Sequence, residues 1–383
     1  MLTTLVLSGL ASYFVYQLFH YILLRYRRRV FAKSKGCLPV PRYPQKDPIF
    51  GIDVVLETLK HLKAGGAPQL VVRRYATVGA CTYTSDVMGA KFLHTIEPEN
   101  VKAILATQFE DFDLPGMRKV FGPVFGYGIF SNNGHEWATS RAMLRPNFNR
   151  AQVADLEALE EHMKKFIARI PRDGSTIDIQ DLFFSLTMDS ATEFLFGHSS
   201  NTLDTGAGYE RGAQFSKSFT DATHHTGVLA RSPAIIHPLL RNKRFVGDIE
   251  YIHEYISEYV QKAVDMHKNG TKKTDKYVFL EELAATGQTR EKIQAELMNI
   301  LLAGRDTTAG LLSFLFWTLA REKKIFDNLK AEVDELEGKL PGYEMIKNMK
   351  YLQWTLNEGT LRLLKLKVQS LILQLFDFSR SFQ

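Results

Sequence analysis

The sequence predicts a mainly α-helical domain with a small β element, behind one N-terminal transmembrane helix. Three observations predict it. Residues 1–24, MLTTLVLSGLASYFVYQLFHYILL, contain no Lys, Arg, Asp or Glu. Only two short runs, Cys81–Met88 and Ala90–Ile96, are β-like, and a Gly-containing turn separates them. Residues 290–320 are apolar on nearly every helical face, the pattern of a helix crossing the centre of a large domain.

Leu2 to Leu24 as a helix would reach roughly 35 Å, enough to cross the hydrocarbon core of a bilayer. A cleaved signal peptide carries its positive charges before the apolar run; here Arg25, Arg27, Arg28, Arg29, Lys33 and Lys35 follow it. The positive-inside rule then leaves the rest of the chain in the cytosol. Residues 1–24 are therefore expected to be an uncleaved, single-pass signal anchor. That basic run also matches the whole formal net charge of +6, so the remainder is near neutral and shows no nucleic-acid footprint.

Residues 25–50 are expected to be a basic and Pro-rich linker, because Pro39, Pro41, Pro44 and Pro48 interrupt any helix. Residues 51–363 are expected to be one domain and 364–383 a divergent tail. After the β element, helices are expected near 98–107, 135–145, 151–169, 180–196, 210–222, 247–267, 290–320, 321–336 and 344–363. A chain with 45% hydrophobic residues, 26 Phe and 15 Tyr builds a packed core and is not disordered. The two cysteines, Cys37 and Cys81, make no disulfide framework and fit a reducing compartment.

Several chemistries are excluded. "GPVFGYGIFSNNG" is neither a phosphate loop nor GxGxxG. His253-Glu254 opens an HExxH-like string whose fifth position is Ser257, so the second zinc ligand is missing. No CxxC pair or GxSxG elbow occurs.

One stretch of the long helix is out of place. "ILLAGRDTTAGLLSF" puts Gly304, Arg305, Asp306, Thr307 and Thr308 in an otherwise apolar sequence, where unpaired polar groups are costly. Mid-bilayer charges argue against a second membrane span. Ala303 and Gly304 leave room for another object at the backbone, beside an acid and a hydroxyl. Earlier, "GHEWATSRAMLRPNF" sets Trp137 and Arg141 four apart, on one helix face. Indole and guanidinium only donate hydrogen bonds, so the pair suits a carboxylate.

These motifs resemble those of the haem-thiolate monooxygenases, the cytochrome P450 family. AGRDTT is similar to its oxygen-activation motif, and Trp137 with Arg141 to its Trp-x-x-x-Arg helix. The resemblance implies that Asp306 and Thr307 are the catalytic proton-delivering pair and that Ala303 and Gly304 form the oxygen groove. It also implies that Trp137 and Arg141 bind a propionate of haem b. Electrons would come from NADPH through a reductase partner, in the endoplasmic reticulum membrane. The stretches "PRYPQKDPIFG", "VFGYGIF" and "AGRDTTAGLLSF" look most like the fungal subfamily that hydroxylates alkanes and fatty acids, which implies an apolar small-molecule substrate.

The resemblance departs after Asn357. The family's Glu-x-x-Arg appears as Glu358 and Arg362 with Gly359 apparently inserted, and the Cys loop that supplies the axial thiolate is absent. Hence no metal ligand is assigned. The chain is expected to be truncated or frameshifted at its C-terminus and inactive as written. The alternative is a non-catalytic, haem-free membrane-anchored product that binds lipid or a partner.

Overall fold

The computed structural model describes residues 2–371 apart from 65, 149–155, 206–208, 231, 233, 235–236 and 271–277. Helix α1 spans Leu2–Ser34, so the basic cluster is helical and the predicted linker starts later than residue 25. Arginine is a good helix former and no proline precedes Pro39. Among the described residues, no helix is long and apolar enough to cross a membrane. The side chains of residues 2–11 and 14 lie outside the described set, and beyond them Tyr13, Tyr16, Gln17, His20 and Tyr21 dilute the apolar run before Arg25.

The connector is docked, not free. Arg42 forms a parallel bridge to Thr84, and the Tyr43 amide donates to the Thr84 carbonyl at 2.8 Å. Helices α2 (Ile52–Lys63) and α3 (Ala67–Val78) follow, and neither is foreseen from the sequence. Buried Arg74 of α3 ties them by donating to Glu57 at 3.0 Å and to Thr58 at 2.9 Å. Strands β1 (Thr82–Val87) and β2 (Ala90–Thr95) pair antiparallel, with Thr82 opposite Thr95 and Val87 opposite Ala90. The turn residues Met88 and Gly89 both have positive φ, 51° and 80°, as a two-residue hairpin turn of this twist requires.

The rest is helical. The expected helix at 98–107 is α4 (Pro98–Lys102) continued by a π-helical turn over Ala103–Thr107. Then come α5 (Pro115–Phe125), α6 (Gly134–Leu144), α7 (Leu156–Ala168) and α8 (Ile179–Phe196). They are followed by α9 (Tyr209–Ala230), α10 (His237–Leu240), α11 (Lys243–Lys268) and α12 (Phe279–Ala285). The long helix is α13 (Arg290–Leu319), succeeded by α14 (Lys323–Asp334), α15 (Tyr343–Asn348) and α16 (Lys350–Leu371).

Starts are set by side-chain caps. Asp178 accepts from the Gln180 amide at 2.9 Å and Asn242 from the Phe245 amide at 2.8 Å. The main core joins Met188 and Leu195 of α8, Phe215 and Phe219 of α9, Ile252 and Ile256 of α11, and Leu297 and Leu301 of α13. Helix α13 makes its most extensive pairing with α8, which places it at the centre, as expected.

Two further differences concern the C-terminal part. The expected helix at 344–363 is broken at Met349, whose ψ of 92° leaves the helical region, and α16 then runs on into the predicted tail. Gly359 sits inside an unbroken α16, where an added Cβ would meet Leu315 Cδ2 of α13 at 2.3 Å. The glycine therefore has a packing reason, the close approach of two helices. The Arg362 side chain and residues 372–383 lie outside the described residues.

Candidate functional site

Helix α13 is built differently along its length. Thr289 caps it, its hydroxyl accepting from the Lys292 amide at 3.3 Å. In the first half Ile293, Leu297, Met298 and Leu301 face the core. The buried polar residues there all have work: Glu296 accepts from the Ile129 amide at 3.0 Å, and Asn299 from the Phe130 amide at 2.9 Å. Asn299 also donates to the Phe125 carbonyl at 2.9 Å. These bonds clamp the loop between α5 and α6 onto α13. Gly126 and Gly128 make the approach possible, since a Cβ there would lie 2.6 Å from Ala295 Cβ and from Asn299 Nδ2 respectively.

Past Leu301 the helix opens. Gly304, Thr307 and Thr308 are exposed, and Ala303 is half-buried. A Cβ on Gly304 would find only Ala191 Cβ, at an ordinary 3.9 Å, so protein packing does not demand this glycine. The Thr307 hydroxyl donates back to the Ala303 carbonyl at 2.6 Å, the local back-bonding that the sequence suggests.

Arg305 is the exception. It is 2% exposed, with its guanidinium 4.8 Å from the Phe184 ring centroid and 5.5 Å from that of Phe219. Nη1 donates to Asp306 Oδ1 at 2.8 Å and Nη2 to Thr220 Oγ1 of α9 at 2.6 Å. Burial pushes the guanidinium below its ordinary value, while the Asp306 carboxylate opposes that shift. The predicted acid thus lies in an ion pair with its own neighbour, a partner that the sequence does not single out.

On α6, Trp137 and Arg141 do share a face: the guanidinium carbon lies 5.5 Å from the indole centroid. Trp137 is half-buried against Phe109, with ring centroids 4.9 Å apart, and Arg141 is exposed. The structure thus brings Trp137 and Arg141 together, whereas Asp306 and Thr307, adjacent in the chain, bond to different partners, Arg305 and the Ala303 carbonyl. Helix α6 is instead tied to the first half of α13, where Lys292 Nζ donates to Ser140 Oγ at 2.7 Å. Ala303 lies about three turns, roughly 16 Å, further along α13. Sequence reasoning missed Ser140, Lys292, Glu296 and Asn299; the i,i+4 spacing of Lys292 and Glu296 was their one visible signal.

The donor set fits the carboxylates of a haem: two donor-only groups side by side on a partly covered helix face. It does not fit the iron. Cys37 follows α1 and Cys81 precedes β1, both exposed. Among the described residues no group of His, Cys, Asp or Glu is placed to hold a metal ion.

Comparison with known proteins agrees with this geometry. The family model described as Cytochrome P450 matches residues 41–371. The chain is 38% identical to the cytochrome P450 monooxygenase himC of Aspergillus japonicus over 93% of this chain and 65% of that protein. It is 38% identical to cytochrome P450 52A12 of Debaryomyces hansenii, covering 90% of this chain and 68% of that one. With cytochrome P450 52A5 of Candida maltosa it shares 36% identity over 90% of this chain and 68% of that protein. It spans about two thirds of the length of these relatives. The crystal structure of a cytochrome P450DA haem domain superposes with a TM-score of 0.65 at 21% identity, covering 84% of this chain and 69% of that one. That likeness establishes the fold, and the sequence matches establish the kinship: the chain belongs to the cytochrome P450 family.

Proposed function

We propose that this chain carries the oxygen-groove and propionate-binding part of a haem-dependent monooxygenase that hydroxylates long-chain alkanes or fatty acids. The observation that carries the reading is the open centre of α13. There Gly304 answers to no protein contact, and it stands beside Asp306 and a hydroxyl. Haem, when bound, supplies dioxygen binding and reductive cleavage with electrons from an NADPH-dependent reductase. Trp137 Nε1 and the Arg141 guanidinium hold its carboxylates. Ala303 and Gly304 leave the groove unobstructed. Thr307 Oγ1, free to turn from its own helix carbonyl, places a hydroxyl proton at the groove, and Asp306 provides the adjacent carboxylate.

The substrate class rests on the resemblance of the connector, the 125–130 loop and the α13 motif to fungal enzymes of that specificity. An apolar substrate suits a domain held at a membrane. Helix α1, with its basic run after residue 24, supports a single-pass anchor in the endoplasmic reticulum with the domain cytosolic. In a eukaryotic cell the protein should then stay in the membrane pellet after carbonate extraction, with Asn269 unglycosylated; a sugar at Asn269 would reverse the orientation.

A second reading is favoured by the cysteines. Under it Cys37 and Cys81, both exposed beside α1 and β1, are ordinary thiols, and these residues form a non-catalytic, haem-free product that binds lipid or a partner. A reduced carbon monoxide difference spectrum of the 383-residue chain with added hemin separates the two readings. The second expects no thiolate-type band. A band abolished by Cys37→Ala or Cys81→Ala would assign the ligand and restore activity to this chain.

A further inference from the structure

We infer that Lys292 and Ser140 are positioning residues that set where the Trp137–Arg141 pair stands relative to α13. The inference rests on the haem reading above. An ammonium has three N–H donors and no acceptor; Lys292 Nζ donates two hydrogen bonds and makes one ion-pair contact. Nζ lies 2.8 Å from Glu296 Oε1 of its own helix, 2.7 Å from Ser140 Oγ of α6 and 3.3 Å from the Tyr127 carbonyl of the preceding loop. Glu296 is fully buried and its other oxygen holds the Ile129 amide, so the charge pair cannot drift toward water.

Apolar contacts hold the two ends of helix α6, Trp137 against Phe109 and Leu144 and Met143 on the main core, and its polar ties are few. Its only fully buried residues are Ser140 and Leu144, and its N-cap residue Asn133 makes no side-chain cap bond. Among the described residues its other polar ties to neighbouring elements run from Arg118 to Glu136 and from Thr286 to Met143. Ser140 lies one residue before Arg141 and nearly one turn after Trp137, so the Lys292 bond acts at the level of the two donors. The bond is charge-assisted and shielded, hence stronger and stiffer than the exposed Arg118–Glu136 pair. The tie fixes the two carboxylate donors to the same rigid helix that carries the groove.

Ser140→Ala is the surgical test, since it cuts the link to α6 and leaves the buried Lys292–Glu296 pair intact. Trp317 and Trp354 are 55% and 63% exposed, so Trp317→Phe and Trp354→Phe leave Trp137 as the sole tryptophan at small cost, excited selectively at the long-wavelength edge where tyrosine does not absorb. Quenching of Trp137 then reports binding of hemin and of hemin dimethyl ester, which lacks the carboxylates. The 383-residue chain should prefer hemin to the ester. Ser140→Ala should weaken hemin about tenfold and the ester less than twofold, as loss of a bond that orients charged partners would do. Lys292→Met combined with Glu296→Gln, neutral and isosteric, should repeat the result.

Three outcomes overturn the inference. If hemin and ester bind alike before any substitution, the haem-carboxylate reading fails and the inference with it. If the preference exists but Ser140→Ala weakens both ligands equally, or neither, the inference alone fails. Iodide quenching of Trp137 without ligand is the independent check: it should change about twofold in Ser140→Ala, and no change would mean that α6 never depended on the tie.

Discussion

The two halves of α13 follow opposite rules. Between Lys292 and Leu301 the polar side chains Lys292, Glu296 and Asn299 are buried or half-buried and matched to partners from the 125–131 loop and α6. Past Leu301, Gly304, Thr307 and Thr308 are exposed, and further on Phe316 and Trp317 are 47% and 55% exposed. The first half spends its polarity on holding the fold together. The second half keeps a glycine and two threonines where the fold needs none of them. A helix that must both anchor a domain and present a groove can separate the duties along its axis, and Arg305 marks the join. Arg305 is buried like the first half yet attached to the acid of the second.

Substitutions along the helix should trace this division. Glu296→Ala strands the Lys292 ammonium and the Ile129 amide, and removing one member of a buried pair costs about 3–5 kcal/mol. Urea unfolding should read that loss; a value under about 1 kcal/mol would mean that the pair is not the anchor. Asn299→Ala leaves the Phe130 amide and the Phe125 carbonyl without their side-chain partner, for about 2–3 kcal/mol in the same assay. Gly304→Ala should do the reverse. It adds a better helix former with room for its methyl, so the melting transition should rise by up to about 1 kcal/mol of stability while hemin binding weakens. A destabilised Gly304→Ala would make the open half structural after all and end the comparison. Thr307→Val is the smallest change, expected within about 0.5 kcal/mol, because the lost hydroxyl bond reached only its own helix.

Much of this architecture was visible beforehand, for identifiable reasons. The β hairpin and the helices α8, α11 and α13 carry long or alternating patterns, and α13's centre stands out because polar residues sit where apolar ones are due. Helices α2, α3 and α5 were missed. They are short, and Pro123 with Gly122 makes α5 read as a loop. The tie from Lys292 to Ser140 joins residues remote in sequence, and such a contact leaves no periodic trace. Gly126 and Gly128 fit no ligand-loop pattern in the sequence, and the structure gives them a purpose, to admit α13 at close range. For Gly359 the sequence shows only an apparent insertion, and the position of Leu315 supplies its packing reason.

The bridge between Arg42 and Thr84 sets a mechanical limit. Helix α1 ends at Ser34, and the chain is fastened to β1 at Arg42, so the free tether is residues 35–41. Even fully extended it spans at most roughly 25 Å, about half the width of a domain of this size. Whatever surface holds α1 therefore holds the domain on a short leash. One side of the domain always faces that surface, and molecules leaving the surface meet this side before any other.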